Sequence, residues 1–387
     1  MINVRKLFIT LAAVLMLAAP SKGQEVAPDG EFRAAWLATV KGIDWPRHEK
    51  DADGNVIIDR QADREALVKM ITDIKNVGCN VLLFQVVSNM DALYPSDILP
   101  WCHIVTGTQG LNPGYDPLAI AVKTCRELGL EIHAWINPLR CGPSDMERDS
   151  SHVVLAHPEL VKVYKDAYYL DPANPAARDY LTSVIRELLD NYELDGIHID
   201  DYFYPAGFQD DQDTWDDANQ YEAYVGEGGV LDLEQWRFEN INTCVREMYE
   251  ATHEYENTRF GISPAGRLVN TLRLYADPRA WAEESTIDYL IPQIYWQHGH
   301  PIADFAQVLA SWNEIIPFYI PIYVGIGAYR YGQKGFESLD EFRQQIDDCR
   351  EAPNVYGHAW FSAKCILTDE FSKFLKEGPY KNVEASQ

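Results

Sequence analysis

Two adjacent acids, Asp200 and Asp201, end an apolar run inside the segment Asp195 to Pro205. Neighbouring carboxylates repel when both are ionised, so one of the two should keep its proton to a higher pH than a free aspartate does. One protonated and one ionised carboxyl group is the pair that glycosidic cleavage needs. The first protonates the leaving oxygen, and the second acts as nucleophile or steadies an oxocarbenium-like transition state. Along a strand, alternation puts His198 and Asp200 on one face and Ile199 and Asp201 on the other, unless the strand end twists or bulges. The plainer reading is a structural acid pair held by Arg140 or Arg237.

Other short apolar runs also end in polar groups. Gln85 and Ser88-Asn89 close one, Trp135, Asn137 and Arg140 another, and Ser263-Pro264 a third; Gln293, Tyr295 and Trp296, then Tyr329, then Trp360 and Ser362 close the rest. Aromatic residues gather at the same places: Trp36, Trp45, Trp101, Trp135, Tyr202, Tyr204, Tyr295, Trp296 and Trp360. Flat apolar rings beside amides and charges suit the stacking and hydroxyl binding of a sugar. The substrate-binding candidates are Trp36, Gln85, Trp135, Asn137, Arg140, His198, Tyr202, Gln293, Trp296 and Trp360.

These groups must be positioned by repeated strand and helix units. Eight strands are expected at 32–39, 80–87, 131–137, 196–202, 259–264, 287–295, 318–326 and 355–362, most of them separated by amphipathic segments of helical period. The segment 61–77 carries Leu67, Met70, Ile71, Ile74 and Val77 at helical spacing before Gly78. Asp116-Pro117 reads as a helix start and Gly129 as its stop. Further helices are expected at 176–192, 233–254, 303–315 and 340–349, with one between 271 and 284 broken by Pro278. Eight alternating units predict an α/β fold, a closed (β/α)8 TIM barrel, whose catalytic residues sit at the carboxyl ends of its strands. Two long connections, 45–59 and 204–231, follow such ends and predict active-site loops.

At the amino terminus, Arg5 and Lys6 precede the apolar run Leu7 to Ala19 and the small-residue site Ser21-Lys22-Gly23. This pattern predicts a signal peptide over 1–23, export to the periplasm or medium, and one barrel domain over 24–387. Gln24 and Glu25 stand where a lipoprotein would need cysteine, and the apolar run is too short for a typical membrane span, so no stable membrane insertion is expected after processing. The formal charge is −26, which disfavours nucleic acid as a partner. Seven cysteines leave at least one thiol unpaired. No CxxC or CxxH spacing points to zinc, and neither a metal nor another cofactor is expected.

Several motifs in order then resemble a known family: Phe32 to Thr39 with Asp44-Trp45-Pro46, Ala134 to Pro138, Asp195 to Pro205, Trp236 to Asn242, Phe260 to Pro264 and Pro292 to Trp296. They resemble glycosyl-hydrolase-like family ten, exported bacterial proteins that include a divisome-localised peptidoglycan glycosyl hydrolase. The resemblance covers nearly all the chain after residue 23. It implies a barrel and a glycosidase, and peptidoglycan strands stripped of their peptides as the substrate. Asp195 to Pro205 also resembles the fourth-strand motif of family-eighteen chitinases, with His198 and Asp200 aligned to its two later aspartates. Tyr202 stands where those enzymes carry their catalytic glutamate, so that acid does not transfer. Asp201 or a carboxylate from another strand must serve, with Tyr295 positioning the substrate or stabilising charge; Glu239, on a helix outside the mouth, is a weaker candidate. The rivals are a metal-dependent polysaccharide deacetylase using His198, Asp200, Asp201, His298 and His300, and a barrel that binds glycan without cleaving it.

Overall fold

Asp59 accepts hydrogen bonds from the backbone N–H groups of Gln61 and Ala62, which starts the helix Arg60–Asn76 at its expected place. Asp116 does the same for Ala119 with Pro117 in the first turn, and Gly129, at φ 63°, ends Pro117–Leu128 in the left-handed conformation. Asp232 and Gln235 form a reciprocal capping box at the head of Leu233–His253. These local stops set where each strand begins. The computed structural model describes residues 30–49, 51–52, 57–210 and 215–381. The expected signal peptide lies outside the described residues.

The strands in chain order are β1 (Phe32–Leu37), β2 (Val81–Val87), β3 (Glu131–Ile136), β4 (Arg140–Pro143), β5 (Val161–Tyr164), β6 (Ala167–Leu170), β7 (Gly196–Ile199), β8 (Arg259–Ile262), β9 (Tyr289–Leu290), β10 (Ile322–Ile326) and β11 (Val355–Trp360). Eight of them close a parallel barrel in the order β1-β11-β10-β9-β8-β7-β3-β2. Residues facing inward meet the barrel interior and residues facing outward meet the helices, so β1 and β2 are buried along their whole length.

The expected (β/α)8 architecture is therefore present, with shorter strands than expected. The largest difference is β9, two residues in place of 287–295. Pro292 has no N–H to give the ladder, and beyond it Gln293 continues only as isolated bridges to Ala265 and Gly325. The helix expected over 271–284 is two short helices, Leu268–Leu272 and Pro278–Glu283, parted before Pro278 as its ring requires. A separate antiparallel sheet, β4-β6-β5, rises after β3. Its four-residue strands carry too little alternation to be read in advance.

Inside the barrel, Trp36, His133, His198 and Tyr289 form one hydrogen-bonded column. Trp36 Nε1 donates to His198 Nε2 at 3.2 Å, and the Tyr289 hydroxyl lies 3.2 Å from His198 Nδ1 and 2.7 Å from His133 Nδ1. Gly261 makes room for it, since a Cβ there would come within 1.9 Å of the Tyr289 ring. At the opposite end from the mouth, Arg350 pairs with Glu31 at 2.9 Å. Nearby the Tyr380 ring packs on Gly78 while its hydroxyl receives Trp360 Nε1 at 2.7 Å and lies 2.5 Å from His358 Nε2. All seven cysteines are free, six of them buried. Among the described residues no helix is long and apolar enough to cross a membrane.

Candidate active site

The carboxyl ends of the strands surround a cavity of about 160 Å³. The strand β7 ends at Ile199, one residue before the acids. Regular alternation therefore stops there, and Asp200 and Asp201 both reach the cavity although a continuing strand would have sent them to opposite faces.

Asp200 is held by a chain of amides. Gln85 Oε1 accepts the backbone N–H groups of Thr39 (2.8 Å) and Val40 (2.9 Å), which turns Gln85 Nε2 toward Asn137 Oδ1 at 2.6 Å. Asn137 must then present Nδ2 to Asp200 Oδ2, and the two are hydrogen bonded. Trp135 Nε1 donates to the same oxygen at 3.1 Å, and the Tyr202 N–H approaches Oδ1 at 3.3 Å. Burial pushes the Asp200 carboxyl up to about 8, the nearby Asp201 charge adds to the rise, and Arg140 opposes it. Asp201 is more exposed. Burial raises it as well, against a hydrogen bond from Gln293 Nε2 at 3.2 Å. Gln293 is fixed by a second bond to the Ser263 carbonyl at 2.9 Å.

Tyr295 lines the cavity, stacked on Phe361 at 5.8 Å, and among the described residues its hydroxyl makes no hydrogen bond. Burial lifts it far above the usual tyrosine value. Arg140 donates Nε to the Ser88 carbonyl at 3.0 Å and lays its guanidinium 4.3 Å over the Tyr202 ring. Among the described residues its Nη2 is buried without a hydrogen-bond partner. Trp36 closes the floor.

Of the expected site residues, Asp200, Asp201, Tyr295, Trp36, Gln85, Trp135, Asn137, Arg140, Tyr202 and Gln293 all line this one cavity. Three others do not. His198 is fully buried in the interior column, where burial holds it well below the usual histidine value, neutral and out of reach of substrate. Trp360 faces the outer helix layer, packed on Phe342 and Phe371. Its neighbour Phe361 is the aromatic that enters the cavity, a one-residue shift that follows from strand alternation. Trp296 turns away toward His300 and Gly266.

The imidazoles invoked for a metal hydrolase are engaged elsewhere. His298 lies 2.9 Å from Glu341 and 2.7 Å from Asp348, while His300 Nδ1 accepts the Ala303 N–H at 3.0 Å. Among the described residues one group has three ligand types close together, Asp91, Cys102 and His103. Asp91 there already accepts from Gln109 at 3.0 Å and Ser88 at 3.3 Å, so the group reads as a loop anchor. Arg237 holds Asp217 through two 2.8 Å bonds and leaves the acid pair alone. It steadies the loop after β7, whose Tyr204, Phe208 and Trp215 rings pack together. Glu239 pairs with Arg246 on the helix layer.

Solved structures share this architecture. The glycoside hydrolase domain of PgaB (BpsB) from Bordetella bronchiseptica superposes with a TM-score of 0.57 at 11% identity, covering 85% of this chain and 95% of that one. The catalytic domain of a Paenibacillus polymyxa beta-amylase gives 0.58 at 13% identity, covering 93% and 99%. Identity that low speaks for the fold alone. By sequence, the chain is 34% identical over 363 residues to glycosyl hydrolase YngK of Bacillus subtilis, spanning 87% of this chain and 69% of that one. It is 28% identical to glycosyl hydrolase DigH of Escherichia coli, spanning 85% and 82%. The family model described as glycosyl hydrolase-like 10 matches residues 31–341. These matches, together with a barrel that carries paired acids at its mouth, establish that the chain belongs to the glycosyl hydrolase-like 10 family.

Proposed function

We propose that this protein is an exported glycoside hydrolase that cleaves peptidoglycan glycan strands with Asp200 and Asp201. The observation that carries the reading is the acid pair itself, two carboxyl groups in one aromatic-walled cavity with one of them raised to about 8. Asp200 is then the general acid. Its Oδ2 is occupied by the Trp135 and Asn137 donors, which leaves Oδ1 to carry the proton toward the leaving oxygen. Asp201, more open and held by Gln293, is the ionised partner facing the developing positive charge. Tyr295 offers an uncommitted hydroxyl to the sugar, and Trp36, Trp135 and Phe361 offer ring faces. The motif resemblance to a family with a peptidoglycan-acting member supports the substrate, and the basic and apolar opening of the sequence supports export.

The test is digestion of purified peptidoglycan strands, with and without stem peptides, by wild type and by Asp200→Asn, with products read by mass spectrometry and EDTA as a control. Short reducing-end saccharides from wild type alone, unchanged by EDTA, are expected. Cleavage of another polysaccharide would move the substrate, binding without cleavage would favour the non-catalytic barrel, and EDTA-sensitive loss of acetyl groups would overturn the glycosidase reading.

A further inference from the structure

The cavity holding the acid pair is the first of four that share walls; the fourth, of about 480 Å³, meets the second and third at His103 and carries Glu147 and Asp149 beside Arg148. Val40 and Arg140 line both it and a second cavity of about 360 Å³, and Lys41, His103 and Ile104 line both that one and a third of about 350 Å³. The chain carries a formal charge of −26, yet the second and third are lined by Arg140, Lys41 and Arg47 against a single carboxylate, Asp145. Among the described residues no acid lines the third cavity; Glu49 and Asp51, on the loop that carries Arg47, are not among its walls. The two histidines there are turned to inner acids, His48 to Asp63 at 3.0 Å and His103 to Asp91 at 3.8 Å. Along the second and third cavities the arginine and lysine charges therefore outnumber the carboxylate, with Glu147 and Asp149 set beyond them on the fourth.

One further observation points to an anion. Among the described residues Arg140 Nη2 is buried without a hydrogen-bond partner, although Nε of the same guanidinium is bonded and its plane is stacked. A buried donor left open is costly unless a ligand fills it. Lys41 sits in a turn at φ 55°. That turn sets Lys41 on the wall common to the second and third cavities.

We infer that the groove continues from the acid pair into a cationic subsite, formed by Arg140, Lys41 and Arg47, that holds a carboxylate carried by a sugar beside the cleaved bond. Its place next to the scissile bond rests on the glycosidase reading above, whereas its anion selectivity does not. The carboxylate has two chemical sources, an acid ether-linked to an amino sugar or the acid carbon of a uronic sugar. Arg140 takes it by its planar fork, and Lys41 and Arg47 draw the next charged unit along the strand.

The experiment measures binding of three glycans to Asp200→Asn by calorimetry at two salt concentrations: peptide-free strands bearing N-acetylmuramic acid, the same strands with carboxyl groups reduced, and an oligouronate. Hydrolysis by wild type is measured in parallel. A carboxylate preference of about fivefold or more, weakened by salt and reduced about twofold or more in Lys41→Gln/Arg47→Gln with unchanged melting, is expected. The stronger carboxylate ligand names the source. Asp145→Asn should tighten carboxylate binding by about twofold, a gain that misfolding does not mimic. Equal binding of native and reduced strands, or a preference untouched by the double variant, would overturn the subsite. Preference without hydrolysis of any strand would leave the subsite standing and remove the glycosidase reading instead.

Discussion

Two sets of polar groups are buried within one barrel, and they are solved in opposite ways. In the interior column, each donor meets an acceptor: Trp36 N–H to His198 Nε2, His198 Nδ1–H to Tyr289, and the tyrosine proton to His133. That order assigns one neutral tautomer to each histidine, so the column carries no charge. At the mouth, two acids share one cavity, and Arg140 faces them without making an ion pair close enough to neutralise either. The column is arranged for stability, and the mouth holds a conflict that only protonation or substrate relieves.

The sharpest way to break this contrast is to remove the conflict. Asp200→Asn and Asp201→Asn should each lower kcat by on the order of a hundredfold or more, read from saccharide release, with the circular dichroism spectrum retained. Near-normal turnover in both would end the assignment of the mouth as the reacting centre. Next in size is the amide chain beneath Asp200. Asn137→Ala removes the Nδ2 donor and the Gln85 acceptor together, and should cost roughly tenfold or more in kcat with little change in KM, since the reacting carboxyl loses its orientation.

In the column, Tyr289→Phe leaves a His198 N–H and a His133 nitrogen unpaired. It should destabilise the protein by about 1–3 kcal/mol in urea unfolding. A loss of activity without a loss of stability would mean that the column takes part in the chemistry.

The pH dependence sharpens the comparison further. The Asp200 carboxyl rises to about 8 in the folded chain and titrates near its ordinary value when unfolded. The folded state therefore holds the proton longer, and this stabilising contribution is complete below about pH 4 and is lost as pH rises toward 8. Melting temperature should fall over that window more steeply in wild type than in Asp200→Asn, and the activity of wild type should decline above about pH 8. Equal slopes would deny Asp200 its raised value. The smallest effect is expected at Trp360→Phe, which breaks the bond to Tyr380 in the helix layer: about 1 kcal/mol of stability and no change in KM.

Much of this arrangement was legible in the sequence because a parallel barrel writes itself as repeated apolar runs with polar ends. The eight strands and the helices between them followed from caps and periodicity, and ten expected residues meet in one cavity. The three that lie outside it share a cause. His198 has the right residue type at the right strand, yet it lies on the interior-facing register two residues short of the mouth, and depth along a strand is not written in alternation. Trp360 and Phe361 differ by one position, and so do Tyr295 and Trp296; which of each pair turns inward depends on where the strand stops pairing. Asp200 and Asp201 reach the cavity together for the same reason, since β7 ends one residue before them. The sheet β4-β6-β5 and the shared cavities beyond Arg140 arise from contacts among distant segments, for which the sequence held no local signal.

Tyr380 carries a consequence for how such a chain comes to exist. Its ring sits on Gly78 and its hydroxyl serves β11, so it joins segments roughly 300 residues apart. A residue that serves the turn before β2 and the strand β11 at once contributes only after those distant segments have met, so this end of the barrel is sealed by contacts of long sequence separation, the slowest kind to assemble.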